Sequence, residues 1–201
     1  MIILTFPYGP LGSNMYYVNT VSGNYLIDPS VEPEMVSDSK IPVKPDLILI
    51  THGHFDHIYA VDRWHDLYPD VPIYIDREDM SLLNDPRGNV SEMIDGHDVY
   101  QVPVLPLDEL KDEKVKVIKT PGHTKGGVCF IFEDNDGKFI FTGDTLFAGS
   151  CGRVDFPGGS VKEMHASLML LKELDPAFVV YPGHGPSTTI KEERSSNMFM
   201  Q

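Results

Sequence analysis

The sequence contains few cysteines, few basic residues and no long apolar stretch. Among its 201 residues are two cysteines, and 16 lysines and arginines stand against 30 aspartates and glutamates, which gives a formal net charge of −14. Two thiols do not form the disulfide framework of a small secreted protein. Phosphate backbones and anionic membranes repel such an acidic surface, so we expect neither nucleic acid nor a membrane as partner. No apolar stretch approaches the ~18 residues that a membrane span needs.

The amino terminus lacks the basic segment that begins a secretory signal peptide. Its first residues, 1–5, are mostly apolar and indicate a first strand instead. Together with the two cysteines, this predicts a cytoplasmic protein. A chain of this length can bury a core of its own, and we expect one domain over residues 1–201.

Short apolar runs that end at turn residues predict a series of strands. The predicted strands are residues 2–6, 15–18, 24–27, 46–50, 115–118, 128–132, 139–142 and 178–181. Ser22-Gly23-Asn24 and Asn135-Asp136-Gly137 are typical of hairpin turns. Helical spacing of apolar residues separates the runs of strands, so we expect an α/β (α+β) fold with packed sheets and helices outside them.

Two amphipathic helices are predicted from apolar residues at helical spacing, over 58–68 and 161–174. Ser160 and Glu163 form a capping box at the start of the second helix. Asp76 and Asp79 are expected to cap a short helix. The polar segment 84–96 is expected to form a loop, and the sequence leaves open whether it acts as a lid.

Four side chains that ligate metals lie within six residues, directly after a predicted buried strand. They are His52, His54, Asp56 and His57. A tight turn after a strand can aim several side chains at one point, and Gly53 leaves that turn unobstructed. Imidazole nitrogen and carboxylate oxygen are ligands that zinc takes at ~2.0–2.2 Å. The alternative, a chance polar loop or a structural histidine cluster, does not account for four potential ligands in this order.

Three further candidates each follow an apolar strand and a glycine: His123, Asp144 and His184. The ends of neighbouring strands meet at one edge of a layered fold. Seven ligands are too many for one four-coordinate ion and suit two ions that share a bridging carboxylate. The remaining histidines follow no such strand and glycine and are interpreted as ordinary; they are His65, His97 and His165.

These motifs resemble the metallo-β-lactamase-fold hydrolases, in the same order along the chain. The matching segments are Thr51-His-Gly-His-Phe-Asp-His57, Gly122-His123, Thr142-Gly-Asp-Thr-Leu-Phe147 and Tyr181-Pro-Gly-His-Gly185. Gly143-Asp-Thr-Leu-Phe147 with Cys151-Gly-Arg153 resembles the glyoxalase II (hydroxyacylglutathione hydrolase) branch. The resemblance implies a four-layer αββα sandwich with the metals at one edge of its two sheets.

The resemblance also implies a role for each residue. His52, His54 and His123 would bind the first metal, Asp56, His57 and His184 the second, and Asp144 would bridge them. Asp56 and Asp144 are the carboxylates expected to act in catalysis. Asp28, at the end of Tyr25-Leu-Ile-Asp28, would support the ligand loop. We expect two divalent ions, zinc first, with iron or manganese as alternatives.

The function implied is hydrolysis of a small acyl thioester by a metal-bridging hydroxide, since a thiolate leaves without a dedicated acid. Arg153 is the candidate for binding the substrate's carboxylate; the alternative is a surface or structural arginine. Longer glyoxalase II enzymes carry a C-terminal helical region that binds glutathione, and this chain resembles a short form without it. The oligomeric state stays open.

Three other functions stay open. Persulfide dioxygenases resemble the chain, including the stretch near Gly149-Ser-Cys-Gly-Arg153, and use one iron held by two histidines and an aspartate. A lactone-type ester hydrolase of the same fold is a second enzymatic alternative. A metal-binding regulatory domain is a non-enzymatic one, which seven ligands in catalytic order disfavour.

Overall fold

The computed structural model describes residues 1–36, 41, 43–135 and 137–201. The chain divides into two compact units, Met1–Leu110 and Lys111–Gln201. Each unit has a sheet and an apolar core of its own. Among the described residues, no helix has both the length and the apolar composition needed to cross a membrane.

The first unit is built on a six-stranded sheet in the order β1-β2-β3-β4-β5-β6. Its strands are β1 (Ile2–Phe6), β2 (Met15–Asn19), β3 (Asn24–Ile27), β4 (Leu47–Leu49), β5 (Ile73–Ile75) and β6 (Val104–Pro106). The first three strands are antiparallel neighbours, and β3 to β6 are parallel. The tight connection at Ser22-Gly23 is the hairpin turn that the sequence predicts. Because parallel strands point the same way, β3 and β4 deliver Asp28 and Thr51 to the same edge of the sheet.

The helices of this unit are short. They are α1 (Phe55–Ile58), α2 (Val61–Leu67) and 3-10 turns at Pro10–Gly12, Pro33–Met35, Met80–Asn84, Ser91–Ile94 and Leu107–Glu109. The sequence predicts a single helix over 58–68, and this is wrong in one respect: the structure has two helices, α1 and α2, separated by Tyr59 and Ala60. The Ala60 amide donates to the carbonyl of Pro29, and Trp64 of α2 packs in the core and donates to the Val31 carbonyl.

The second unit is built on a five-stranded sheet in the order β13-β12-β9-β8-β7, with a separate two-stranded ribbon, β10-β11. Its strands are β7 (Lys116–Lys119), β8 (Val128–Asp134), β9 (Gly137–Gly143), β10 (Leu146–Phe147), β11 (Ser150–Cys151), β12 (Val179–Pro182) and β13 (Thr188–Thr189). Asp134 of β8 pairs with Gly137 of β9, as the predicted hairpin requires, and Asp136 of that turn lies outside the described residues.

Two helices and a turn complete this unit: α3 (Val161–Lys172), α4 (Ile190–Ser196) and the 3-10 turn Met198–Met200. The predicted capping box is present at α3, where the Ser160 hydroxyl accepts from the Glu163 amide. Met164, Leu168 and Leu171 are buried in the core of the unit, so the apolar stripe of α3 covers the sheet as its spacing predicts.

Strand direction explains where the ligand candidates of this unit lie. β12 is parallel to β9, and β8 is antiparallel to both β7 and β9. β7, β9 and β12 therefore all run the same way. His123, Asp144 and His184 follow their carboxyl ends, which meet at one edge of the sheet.

Candidate metal centre

The first unit holds four of the ligand candidates, and all four are buried. His52 and His54 lie in the turn after β4, and Asp56 and His57 lie on α1. The ring of His52 is 4.9 Å from that of His54 and 4.2 Å from that of His57, measured between centroids. Three imidazoles and a carboxylate are thus held in one small volume, although burial normally disfavours such groups unless they are bonded or bind a metal.

Asp28 fixes the protonation of two of these histidines. Its carboxylate accepts from the Thr51 amide at 2.7 Å, the Thr51 hydroxyl at 2.8 Å and His57 Nδ1 at 2.9 Å. Because the Thr51 hydroxyl donates its only proton to Asp28, its oxygen accepts a hydrogen bond from His52 Nδ1 at 3.0 Å. Both imidazoles therefore carry their proton on Nδ1 and present Nε2 as the basic nitrogen, the arrangement typical of metal-bound histidine.

Asp28 holds these contacts from an unusual backbone conformation, with φ at +52°. Aspartate and asparagine adopt this left-handed region more readily than other residues that have a side chain. This conformation restricts the residue types that can take the place of Asp28.

Three further contacts hold the ligand turn, and the sequence did not reveal them. The Gly53 amide donates to Asp79 at 3.0 Å, the Phe55 amide donates to the Asn89 carbonyl at 2.9 Å, and the Ser13 hydroxyl donates to the carbonyl of Asp56 at 2.6 Å. Asp79 stands at the start of the 3-10 turn Met80–Asn84, as the sequence predicts, but its side chain makes no cap hydrogen bond there. Its carboxylate is aimed at the ligand turn instead.

The contact with Asn89 bears on the segment 84–96. Asn89 and Ser91 are fully buried, and the Asn89 side chain bonds to the Ser91 amide and the Asp98 carbonyl. This part of the segment is fixed against the start of α1, whereas Met93 and Ile94 are exposed. The middle of the predicted loop is therefore a support for the ligand turn.

The second unit holds the other three candidates. Asp144 Oδ2 lies 3.4 Å from His123 Nε2 and 3.7 Å from His184 Nε2. These distances exceed those of ordinary hydrogen bonds. They approach the spacing of two ligands on one ion, which is ~3.3 Å for tetrahedral zinc with bonds of ~2.0–2.1 Å. The same carboxylate oxygen faces both histidines, as a bridging ligand would.

The backbone around His123 fixes its ring. His123 Nδ1 donates to the carbonyl of Arg153 at 2.6 Å, so its basic nitrogen is again Nε2. Gly122 has φ at +140°, and a Cβ there would lie 2.3 Å from the Met164 amide nitrogen. At Gly152 a Cβ would lie 1.9 Å from the Asp144 carbonyl oxygen. Only glycine allows these close approaches.

The side chain of Arg153 makes contacts of its own. Its guanidinium pairs with both oxygens of Asp155, at 2.7 and 2.6 Å, and lies 4.0 Å from the centre of the Phe156 ring. The pair lowers the pKa of Asp155 to about 2. The side chain is 54% exposed and lines a mainly apolar cavity of about 590 Å³, a size typical of small-molecule sites.

The residues expected to be ordinary lie away from these sets. His65 is on α2 and His165 is on α3, as predicted, and His97 lies in no helix or strand. Both thiols are free; Cys129 is buried and Cys151 is partly buried. Burial raises the pKa of Cys129 to about 12, and the residue is part of the apolar core of this unit.

Residues 8–184 match the sequence profile of the metallo-beta-lactamase superfamily. The chain belongs to this superfamily. A probable metallo-hydrolase of Streptococcus pyogenes is 34% identical over 200 residues, which cover 94% of this chain and 85% of that protein. The superfamily match confirms the predicted mixed α/β fold and the prediction of a metallo-hydrolase that binds divalent metal.

Two solved structures of the superfamily are similar over nearly the whole chain. The crystal structure of BLEG-1, a B3 metallo-beta-lactamase, gives a TM-score of 0.87 at 31% identity and covers 100% of both chains. A protein solved in a di-iron-bound form gives a TM-score of 0.85 at 38% identity, and 99% of this chain and 100% of that chain are covered. These likenesses support the fold, and the di-iron form of the second structure supports a metal centre.

Proposed function

We propose that the chain is a dinuclear metallo-hydrolase that cleaves small acyl thioesters. In this proposal His52, His54 and His123 hold one zinc ion, Asp56, His57 and His184 hold the other, and Asp144 bridges them. The observation that carries it is the protonation pattern: hydrogen bonds to Nδ1 leave Nε2 of His52, His57 and His123 as the basic nitrogen. Neutral imidazole with this second-sphere support is the form that binds zinc.

Two bound divalent ions would supply hydroxide at neutral pH and a Lewis acid for a carbonyl oxygen. The protein's own groups act around that chemistry. Buried Asp56, whose Oδ2 lies 3.6 Å from His57 Nε2, would orient the attacking hydroxide by accepting a hydrogen bond from it. The buried ligand turn would exclude other water. No general acid is needed for a thiolate leaving group, which favours thioesters over amides.

The thioester class rests on the stretch Gly143–Phe147 and on Cys151-Gly-Arg153. The carbonyl of Arg153 contacts His123 directly, so the guanidinium belongs to a residue beside a ligand. The Arg153 guanidinium would release Asp155 and bind a carboxylate of the substrate instead, because a planar guanidinium binds a carboxylate through two hydrogen bonds. The adjoining cavity is large enough for a small apolar group.

The first experiment measures metal content and activity on the same metal-replete sample. We expect close to two ions per chain, zinc as the activating metal, and thioester hydrolysis above that of lactones, phosphodiesters and a β-lactam. The β-lactam is included because BLEG-1 is a B3 metallo-beta-lactamase. One iron per chain with oxygen consumption on persulfides would replace the proposal with a dioxygenase.

Variants test whether both donor sets serve one reaction. Asp144→Ala is expected to remove most activity and to lower the affinity for both ions, since the carboxylate would bridge them. His65→Ala, on the partly exposed face of α2, is the matched control and should keep wild-type turnover. Full activity of Asp144→Ala, measured without contaminating metal, would contradict the assignment.

The role of Arg153 is tested with a matched acidic and neutral thioester. Arg153→Ala should raise KM for the acidic substrate and leave kcat nearly unchanged, because a positioning contact binds ground and transition states alike. Asp155→Ala frees the guanidinium and should lower the same KM. Equal changes in KM for both substrates would show that the Arg153–Asp155 ion pair stabilises the loop and does not bind the substrate.

A further inference from the structure

A buried carboxylate lies in the second unit, apart from the ligand candidates. Glu193 on α4 is 2% exposed. It accepts from the Gly149 amide at 2.9 Å, the Thr188 hydroxyl at 2.7 Å and the Asn197 side-chain amide at 2.8 Å. All three partners donate, as an ionised carboxylate requires. A buried charge satisfied by three donors is costly to disturb.

The partners of Glu193 come from the segments that follow two ligand candidates. Gly149 is at the turn of the β10-β11 ribbon, which begins two residues after Asp144. Thr188 is in β13, which follows His184 and pairs with β12. Asn197 also donates to the carbonyl of Ser150, at 3.0 Å, on the same ribbon. One carboxylate thus joins the segment after Asp144 to the segment after His184.

The ribbon reaches the ligand candidates through direct contacts. Phe147 on β10 meets the His184 ring edge to face, with centroids 6.0 Å apart. The Gly183 amide donates to the Gly143 carbonyl at 2.8 Å, so the residues just before His184 and Asp144 are bonded to each other. If the ribbon were displaced, the contact between Phe147 and His184 would be lost, and the His184 imidazole would no longer be held in this orientation.

We propose that Glu193 is a positioning residue that sets the geometry of Asp144 and His184 for metal binding. The inference rests on the proposed function in that it takes these two residues to be metal ligands. It does not depend on the substrate, since Glu193 acts through the ribbon and β13 and contacts no ligand candidate itself.

The experiment titrates metal into metal-free protein in competition with a chromophoric chelator, and records the visible spectrum of the cobalt-loaded form. Glu193→Ala is expected to lower the affinity of at least one site by up to ~10-fold, the lower end of the range for groups bonded directly to a ligand, because Glu193 acts through the ribbon and β13, and to change the cobalt bands. Glu193→Gln should restore most of the affinity, because the Thr188 hydroxyl can rotate and accept from the new amide. Exposed Glu113→Ala is the surface control.

A second control separates positioning from loss of stability. Ile190→Val removes a buried methyl group from α4 without touching the carboxylate and should leave metal affinity unchanged. Wild-type affinity and cobalt spectrum in folded Glu193→Ala would show that Glu193 only anchors the helix. If Glu193→Ala does not fold, the same two measurements, metal affinity and the cobalt spectrum, are made on Thr188→Val and Asn197→Ala, which each remove one hydrogen bond to Glu193. Metal stoichiometry and thioester activity of the wild type test the proposed function separately.

Discussion

Replacing Asp28 by asparagine should reverse the hydrogen bonds that prepare two histidines for metal. Asparagine keeps the size of the side chain and tolerates the left-handed backbone at φ +52°. One oxygen can still accept from the Thr51 amide. The amide nitrogen, in place of Oδ2, would donate to the Thr51 hydroxyl and to His57 Nδ1. Both histidines, His57 directly and His52 through Thr51, would then carry their proton on Nε2.

The magnitude follows from the contacts that change. Hydrogen bonds to a charged group contribute ~1.5–3 kcal/mol and neutral ones ~0.5–1.5 kcal/mol. Each of the three hydrogen bonds to Asp28 loses this difference, so the free energy of unfolding of the metal-free protein should fall by roughly 3–4.5 kcal/mol. Metal affinity should fall ~10–100-fold, as for other outer-sphere partners, because each Nε2 must first lose its proton.

Two measurements check this prediction. Long-range ¹H–¹⁵N correlation spectra of the metal-free protein report which ring nitrogen of His52 and His57 is protonated, and chelator competition gives the affinity. Asp70→Asn is the control, an exposed carboxylate paired with Lys44. An Asp28→Asn protein with Nδ1 protonated on both rings and wild-type metal affinity would refute the reasoning.

Two more predictions concern metal removal and the thiols. Chelation should abolish activity and leave circular dichroism nearly unchanged, because each unit has an apolar core that needs no ion; loss of secondary structure would show that the metal also holds the fold. A thiol reagent should label native Cys151 before Cys129, since burial raises the pKa of Cys129 to about 12 and removes its thiolate; equal labelling rates in the folded protein would contradict this.

The sequence predicts most of the sheet framework, because buried strands are continuous apolar runs that end at turn residues. It misses β5 and β6, which are three residues each: β5 follows Pro72, and β6 follows Pro103 and ends at Pro106. Proline argues against a strand unless the strand is at an edge, and β6 is an edge of its sheet. α4 was missed although Thr189 and Glu192 form a capping pattern that the structure bears out.

The ligand candidates could be named from the sequence because metal binding needs particular side chains at short spacing. Among their supports, Asp28 is predicted only through the family resemblance, and the others are not predicted, since Asp79, Asn89 and Glu193 act from segments distant in the chain. Only the tertiary fold shows that Asp79 faces Gly53 rather than a helix end. Arg153 is an intermediate case: the sequence predicts it as a candidate for binding substrate, and its carbonyl contact with His123 and its pairing with Asp155 appear only in the structure.

The contact between Arg153 and His123 has a consequence for how such a protein can diversify. It is the main-chain carbonyl that orients the imidazole, and every amino acid has that carbonyl. Substitutions at this position can therefore alter charge and shape at the adjoining cavity while the metal ligand keeps its hydrogen bond. Libraries randomised at this one codon should yield proteins with intact metal binding and altered substrate preference, a favourable starting point for directed evolution.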